Sequence, residues 1–318
     1  MSIEGRTLRS LEWERLLAYL AEQAESPAGQ NLCLALKPQA GRAVVAALLN
    51  ESEEALVLLK NNQGLTFTGL VEVGEALGRL SAGSTLAALE LHNIKEVLKI
   101  SARAKSSLAL VEAEHFPAVT AYLPHLINLK DYIAQIDDAI EGGVVKDTAS
   151  SHLASLRRER ARLDGSIKEE LGRLIQSHSG GKVLQEPLYT IRNGRFVLPV
   201  VASMRYAMDG VVHDASQSGL TVYVEPLSVM ELSNKARIKD GEIEREIERI
   251  LTELSETLRP QAGAILRAFQ ALAELDMIFA RARAAPSTGS VPAPTSSRRT
   301  SILLPWPALS TISTIFFI

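Results

Sequence analysis

The sequence predicts a mainly α-helical protein: a helical core, a long antiparallel coiled-coil lever, and a small antiparallel β clamp at the lever's tip. Three observations lead there. Aromatic residues make up only 5% of the 318 residues while 46% are hydrophobic, and that balance, with abundant Ala, Leu, Glu and Arg, suits helix packing. The one convincing β region is Pro187–Pro226, where short runs of β-branched and aromatic residues alternate with turn formers. Two long charged segments with heptad-like apolar spacing, Ser151–Ser177 and Leu227–Leu258, flank that region.

Composition bounds the function. The formal net charge is −3, so any nucleic-acid surface must be local. Cys33 is the only cysteine. It excludes an intramolecular disulfide and a thiolate-cluster metal site, and fits a reducing cytoplasm. The N-terminal MSIEGRTLRSLEWERL has no apolar run of signal-peptide length, and no membrane-spanning helix is expected up to Ala285.

In chain order, Leu8–Gln23 is a helix carrying Leu8, Leu11, Leu16, Tyr19 and Leu20, with Trp13 beside them. Ser26-Pro27 opens a second, which closes near Lys37-Pro38. Ala43–Lys60 is a third; Leu65–Ala82 and Leu86–Leu108 add two more, parted by Gly83. Ser84 is the expected N-cap of the last, with Ala87 where a capping box would place Glu. Phe116–Glu141 continues in helix until Gly142-Gly143 breaks it. Ser151–Ser177 places Leu153, Leu156, Leu163, Ile167, Leu171 and Leu174 on one stripe, with Arg160 inside it. Leu227–Leu258 answers with Val229, Leu232, Ala236, Ile243, Ile247 and Ile250. Pro260 ends that arm, and Ala262–Ala285 returns to pack on the core through Phe269, Leu272 and Phe279. The domain reading is core 1–150, ascending arm 151–186, clamp 187–226, descending arm 227–259, return helix 260–285, and a disordered or out-of-frame tail 286–318, where charge and periodicity vanish.

Within the clamp, strands are expected at Tyr189–Ile191, Phe196–Val201, Gly210–His213 and Leu220–Val224, with turns at Asn193-Gly194, Asp209-Gly210 and Ser218-Gly219. Arg192, Arg195 and Arg205 sit in or beside these turns, and Lys182 lies just before the sheet. Cations at loop tips reach phosphates without reading bases; the plainer alternative is solvated turn charge. Exposed turn charges add little stability, so their removal is expected to leave folding nearly unchanged.

Other groups carry less chemistry. His213, Asp214, Ser216 and Ser218 look like the ingredients of a catalytic triad, but neighbours on a strand point to opposite faces. Turn hydrogen bonds by Asp214 and Ser216 are the better reading. Arg157, Arg158, Arg160 and Arg162 are expected to pair with Glu242, Glu244, Glu246 and Glu248 on the opposing arm rather than to line a nucleic-acid surface. His92, His115, His125, His152 and His178 have no metal-like spacing. Cys33, among Leu32, Leu34 and Leu36, reads as buried packing.

The stretches TIRNGRFVLPV and GVVHDASQSGLTVYVEPLSVMELSN, followed by a Glu/Arg-rich helix, resemble the bacterial MutS family. The nearest branch is its second subfamily, MutS-two, which lacks the mismatch-reading and connector domains. LEWERLLAYLAEQAESPAGQNLCLALKP is similar to the start of that subfamily's core, and ALAELDMIFARARA to its final core helix. The resemblance runs from about Thr7 to Ala285. It implies a clamp that closes over branched or duplex DNA and touches its backbone through Lys182, Arg192, Arg195 and Arg205, in DNA repair and recombination control.

Some members of the subfamily act on stalled ribosomes, so an RNA- or ribosome-engaging clamp is the alternative, and a coiled-coil association scaffold a third. No G-x-x-x-x-G-K-[ST] phosphate loop occurs and no nuclease domain follows, so the chain resembles a truncated product without ATPase or nuclease activity. No cofactor is expected here; ATP and Mg belong to the missing ATPase domain. A homodimer would form largely through that missing head, and no membrane partner is implied.

Overall fold

The computed structural model describes residues 12–39, 41–178 and 182–287. Its helices are α1 (Trp13–Glu22), α2 (Pro27–Leu34), α3 (Arg42–Lys60), α4 (Gly74–Ser81), α5 (Ala88–Leu108), α6 (Pro117–Thr120), α7 (Lys130–Ala139), α8 (Ser151–His178), α9 (Leu227–Leu258) and α10 (Ala262–Ser287). The chain divides into two compact units, Met1–Val144 with Leu251–Ile318, and Val145–Ile250. Leu8 and Leu11, and the expected tail beyond Ser287, lie outside the described residues.

The first unit is mainly helical, with short strand residues only at Ile140–Glu141 and Val144 among those described, and α10 lies at its centre against α1–α5. Along α10, Ile265, Ala268, Leu272, Asp276, Phe279 and Ala282 form a wholly buried stripe, while Arg267, Gln270 and Glu274 on the opposite side are exposed; its alanines let the neighbouring helices approach. Phe67 and Phe279 stack at 5.8 Å between ring centroids, within the range favoured by aromatic pairs.

Two expected helices are shorter than their patterns. The segment before α4 is not helical: Leu70 N–H bonds Phe67 O in a turn, Gly69 takes φ 88°, and Phe67 N–H donates to Glu25 Oε2 at 2.7 Å. That tertiary bond competes with the helical ladder. Phe116–Glu141 is likewise interrupted, because buried Ser101 Oγ accepts from Ile127 N–H and donates to Ile127 O, each at 2.9 Å. The N-cap of α5 is Ala87 rather than Ser84, and Glu90 closes it by accepting Ala87 N–H at 3.0 Å.

Asp276 ties the first loop to α10. Its wholly buried carboxylate accepts Glu25 N–H (3.0 Å), Ser26 N–H (2.8 Å) and Ser26 Oγ–H (2.6 Å). Ser26 Oγ in turn accepts Gly29 N–H at 3.0 Å and caps α2, with Pro27 in the first turn. A Cβ on Gly29 would meet Asp276 Oδ2 at 2.4 Å. Cys33 is wholly buried beside this group; burial, then the Asp276 charge, pushes its thiol up to about 11. We expect Asp276→Ala to cost about 3 kcal/mol or more, since several buried donors lose their acceptor together. Urea unfolding followed by circular dichroism reads this, and a loss under 1 kcal/mol contradicts it.

In the second unit, α8 pairs with α9. Ser150 Oγ bonds Glu246 (2.7 Å), Glu159 bonds Lys239 (2.9 Å), Arg160 bonds Asp240 (2.7 Å) and Glu170 bonds Ser228 (2.6 Å). Numbers rise on one helix as they fall on the other, so the pair is antiparallel. Leu153, Leu156, Ile167 and Leu171 are buried along the expected stripe. Of the four arginines expected to pair across, Arg160 does so, with Asp240 instead of a glutamate. Arg157 turns to Val145 O and Asp147, and Arg158 to Ala154 O.

The helix α8, Ser151–His178, covers the expected Ser151–Ser177 segment. Further along the arm, Val183 O accepts Val201 N–H and Gln185 N–H donates to Pro199 O, beside the sheet.

Hydrogen bonds from Arg173 and then Ser228 hold the Glu170 carboxyl down to about 2; Arg249 and then Ser150 do the same for Glu246. Both lie below the ordinary 4.5, so the folded state binds protons less readily than the unfolded one. Their stabilisation is therefore full above about pH 4.5 and is lost as pH falls towards 2. In unfolding curves recorded from pH 6 to 2, the gap between the parent and a Glu170→Gln/Glu246→Gln variant should close with acid; a constant gap refutes the linkage.

Candidate nucleic-acid interface

Four strands lie between α8 and α9 in the chain: β1 (Thr190–Arg192), β2 (Arg195–Val201), β3 (Gly210–Ala215) and β4 (Thr221–Pro226). They are antiparallel in the order β1-β2-β4-β3. Asn193 and Gly194 both take positive φ, 50° and 70°, as a two-residue hairpin turn requires. Asp209-Gly210 is not the expected turn. A 3₁₀ helix, Ala202–Ala207, makes that connection, and Gly210 lies in β3, where a Cβ would meet Glu225 O at 2.3 Å. Its glycine serves close backbone approach.

Leu198, Val200 and Val224 are wholly buried and pack on Ile167 and Leu171 of α8 and on Val229 and Ala236 of α9. Paired residues on neighbouring strands share a face. By that register the opposite face carries Arg192, Arg195, Tyr223 and Glu225. Glu225 is wholly buried. Its carboxylate meets His213 Nε2 at 2.7 Å and Arg195 Nη1 at 3.4 Å, and Arg195 also donates to Asn234 Oδ1 of α9 at 3.2 Å. His213 is the extra residue of a β-bulge between Val212 and Asp214; a bulge re-aims a side chain, here onto Glu225.

The predicted cations therefore differ in kind. Arg195, with a side chain 22% exposed, shares its charge with Glu225. The Arg192 guanidinium lies 4.7 Å over the Tyr223 ring, with Nη2 3.4 Å from the phenol oxygen. Arg205 donates to Met208 O (3.3 Å) and Gly210 O (3.0 Å). Lys182 is exposed, at φ 54°. Among the described residues, the ion pairs found include none with Lys182, Arg192 or Arg205. His213 turns to Glu225 rather than to a serine; Asp214 accepts Ala215 N–H at 2.8 Å, and Ser216 Oγ accepts Thr221 N–H at 3.1 Å.

Glu225, Tyr223 and Asn234 were missed in the sequence. The available signal was a lone charge, Glu225, closing the apolar strand TVYVEP. Among the described residues no three His, Cys, Asp or Glu side chains gather as for a metal ion, and no helix is long and apolar enough to cross a membrane.

Fold and site define a mainly helical protein whose second unit is an antiparallel helix pair carrying a small β sheet. No family model matches the chain. Curated relatives do: proteins called endonuclease MutS2 from Geobacillus sp. (strain WCH70), 35% identical over 284 residues, from Pelotomaculum thermopropionicum, 34% over 282, and from Listeria monocytogenes serotype 4a, 33% over 284. These alignments cover 87%, 88% and 88% of this chain. The chain belongs to the MutS2 family. It spans about a third of those relatives, 36% of each.

Arg195 differs from the exposed turn charge expected of it, being paired with buried Glu225. Arg195→Ala removes the cation beside a buried carboxylate and should cost about 2 kcal/mol. Arg192→Ala gives up an exposed cation–π contact and should cost about 0.5–1 kcal/mol. Parallel denaturation of the two variants decides it, and equal losses would dismiss the Glu225 network as a support.

Proposed function

We propose that residues 145–250 grip the phosphate backbone of DNA, duplex or branched, without sequence preference, as the clamp and lever region of a MutS2-family protein concerned with DNA repair or recombination. One observation carries the reading. Lys182, Arg192 and Arg205 face no carboxylate among the described residues, and the two arginines are positioned by uncharged partners, the Tyr223 ring and the Met208 and Gly210 carbonyls. A cation held this way keeps its charge available for phosphate, whereas Arg195 divides its charge with Glu225. Arg195 stays in the proposed set, with its main effect on the sheet. Catalysis named for the longer relatives is proposed for them alone.

Binding of fluorescent linear and branched duplexes at several salt concentrations tests this. Lys182→Ala/Arg192→Ala should weaken all sequences alike and flatten the slope of log K against log salt by roughly one unit for each phosphate no longer neutralised. Ribosomal RNA added as competitor distinguishes an RNA ligand. If the parent binds neither nucleic acid, or the double variant keeps the parent's slope, the reading fails and an association scaffold takes its place.

A further inference from the structure

Tyr206 is 94% exposed. It sits on the 3₁₀ helix Ala202–Ala207, so its backbone mount is ordered. The Arg205 guanidinium lies 5.9 Å from its ring centroid and is itself held by Met208 O and Gly210 O. Met204 (38%) and Leu220 (69%) are also exposed, and Leu220 O accepts Ala202 N–H at 2.9 Å at the start of the same turn. The turn thus presents a bare aromatic ring, Met204 in the same connection with Leu220 from the neighbouring β3–β4 loop, and a fixed cation. Asp209, also exposed, is the nearest acid along the chain.

We infer that Tyr206 is a stacking site for an unpaired nucleobase, with Arg205 taking the adjoining phosphate. This rests on the nucleic-acid reading above and deepens it, naming DNA with unpaired bases as the preferred form. An aromatic face accepts any base, so stacking is tolerant of sequence, and an adjacent guanidinium supplies both phosphate charge and a cation–π contribution. A closed duplex hides its base faces and offers this ring nothing to stack on. A protein partner would bury the ring in an apolar pocket and would not need the pinned cation beside it.

The test uses the whole chain and oligonucleotides carrying 2-aminopurine, either unpaired at a branch or gap or paired within a duplex. The parent should bind the unpaired form more tightly, by about 5-fold or more given what one base stack contributes, with a fluorescence change confined to the unpaired probe. Tyr206→Phe and Tyr206→Trp should keep both properties. Tyr206→Ala should abolish the preference and the fluorescence change while duplex affinity stays within about twofold. Because the side chain is exposed, these variants should unfold like the parent.

If Tyr206→Ala keeps the preference, stacking at Tyr206 is refuted and phosphate gripping stands. If Tyr206→Ala weakens duplex and unpaired DNA binding equally, the residue touches only the backbone and stacking is again refuted. If the parent binds no nucleic acid, both readings fall together.

Discussion

The wholly buried carboxylate of Glu225 governs the design of the sheet. A charge taken from water needs close, opposite partners, or its burial costs several kcal/mol. On the inner strand β4, Glu225 finds partners in Arg195 of β2 and His213 of β3, and Asn234 of α9 holds Arg195 in turn. The bulge in β3 is part of the same arrangement, because a regular strand would not offer both Asp214 opposite Tyr223 and His213 to Glu225. The network joins the sheet to the helix that leaves it.

The first unit solves a parallel problem with Asp276. Here the donors are main-chain N–H groups at the start of α2 and a serine hydroxyl. A buried anion at a helix N-terminus is favourable both for its hydrogen bonds and for the helix dipole. The requirement reaches into sequence choice: Gly29 stands where any Cβ would collide with the carboxylate. Glu54 repeats the device, buried and accepting Ala118 and Val119 N–H at 3.2 and 2.9 Å at the start of α6.

Sorting cations by partner separates those that hold elements together from those with charge to spare. Where a carboxylate is the partner, as for Arg195, Arg160 and Lys239, the charge is consumed in holding elements together. Where the partner is an aromatic ring or a carbonyl, as for Arg192 and Arg205, the side chain is oriented and its charge is left over. The proposed phosphate grip draws on that residual charge.

The helical class, both arms and the existence of the sheet were legible in the sequence because periodicity reports which face is buried. Leu153 to Leu171 and Val229 to Ile250 show the seam directly, and Asn193-Gly194 shows its turn, since those signals act over neighbouring residues. Phe67, Ile127 and Ala87 were misread because each is bonded in a way that local propensity does not register, two of them to residues distant in the chain. The strand order β1-β2-β4-β3, the burial of Glu225 and the division of the clamp cations into paired and unpaired were decided only by the tertiary structure. The physical reason is that a charge's role depends on what lies within a few ångströms of it, and for Arg195, 30 residues from Glu225, that neighbour is set by the fold.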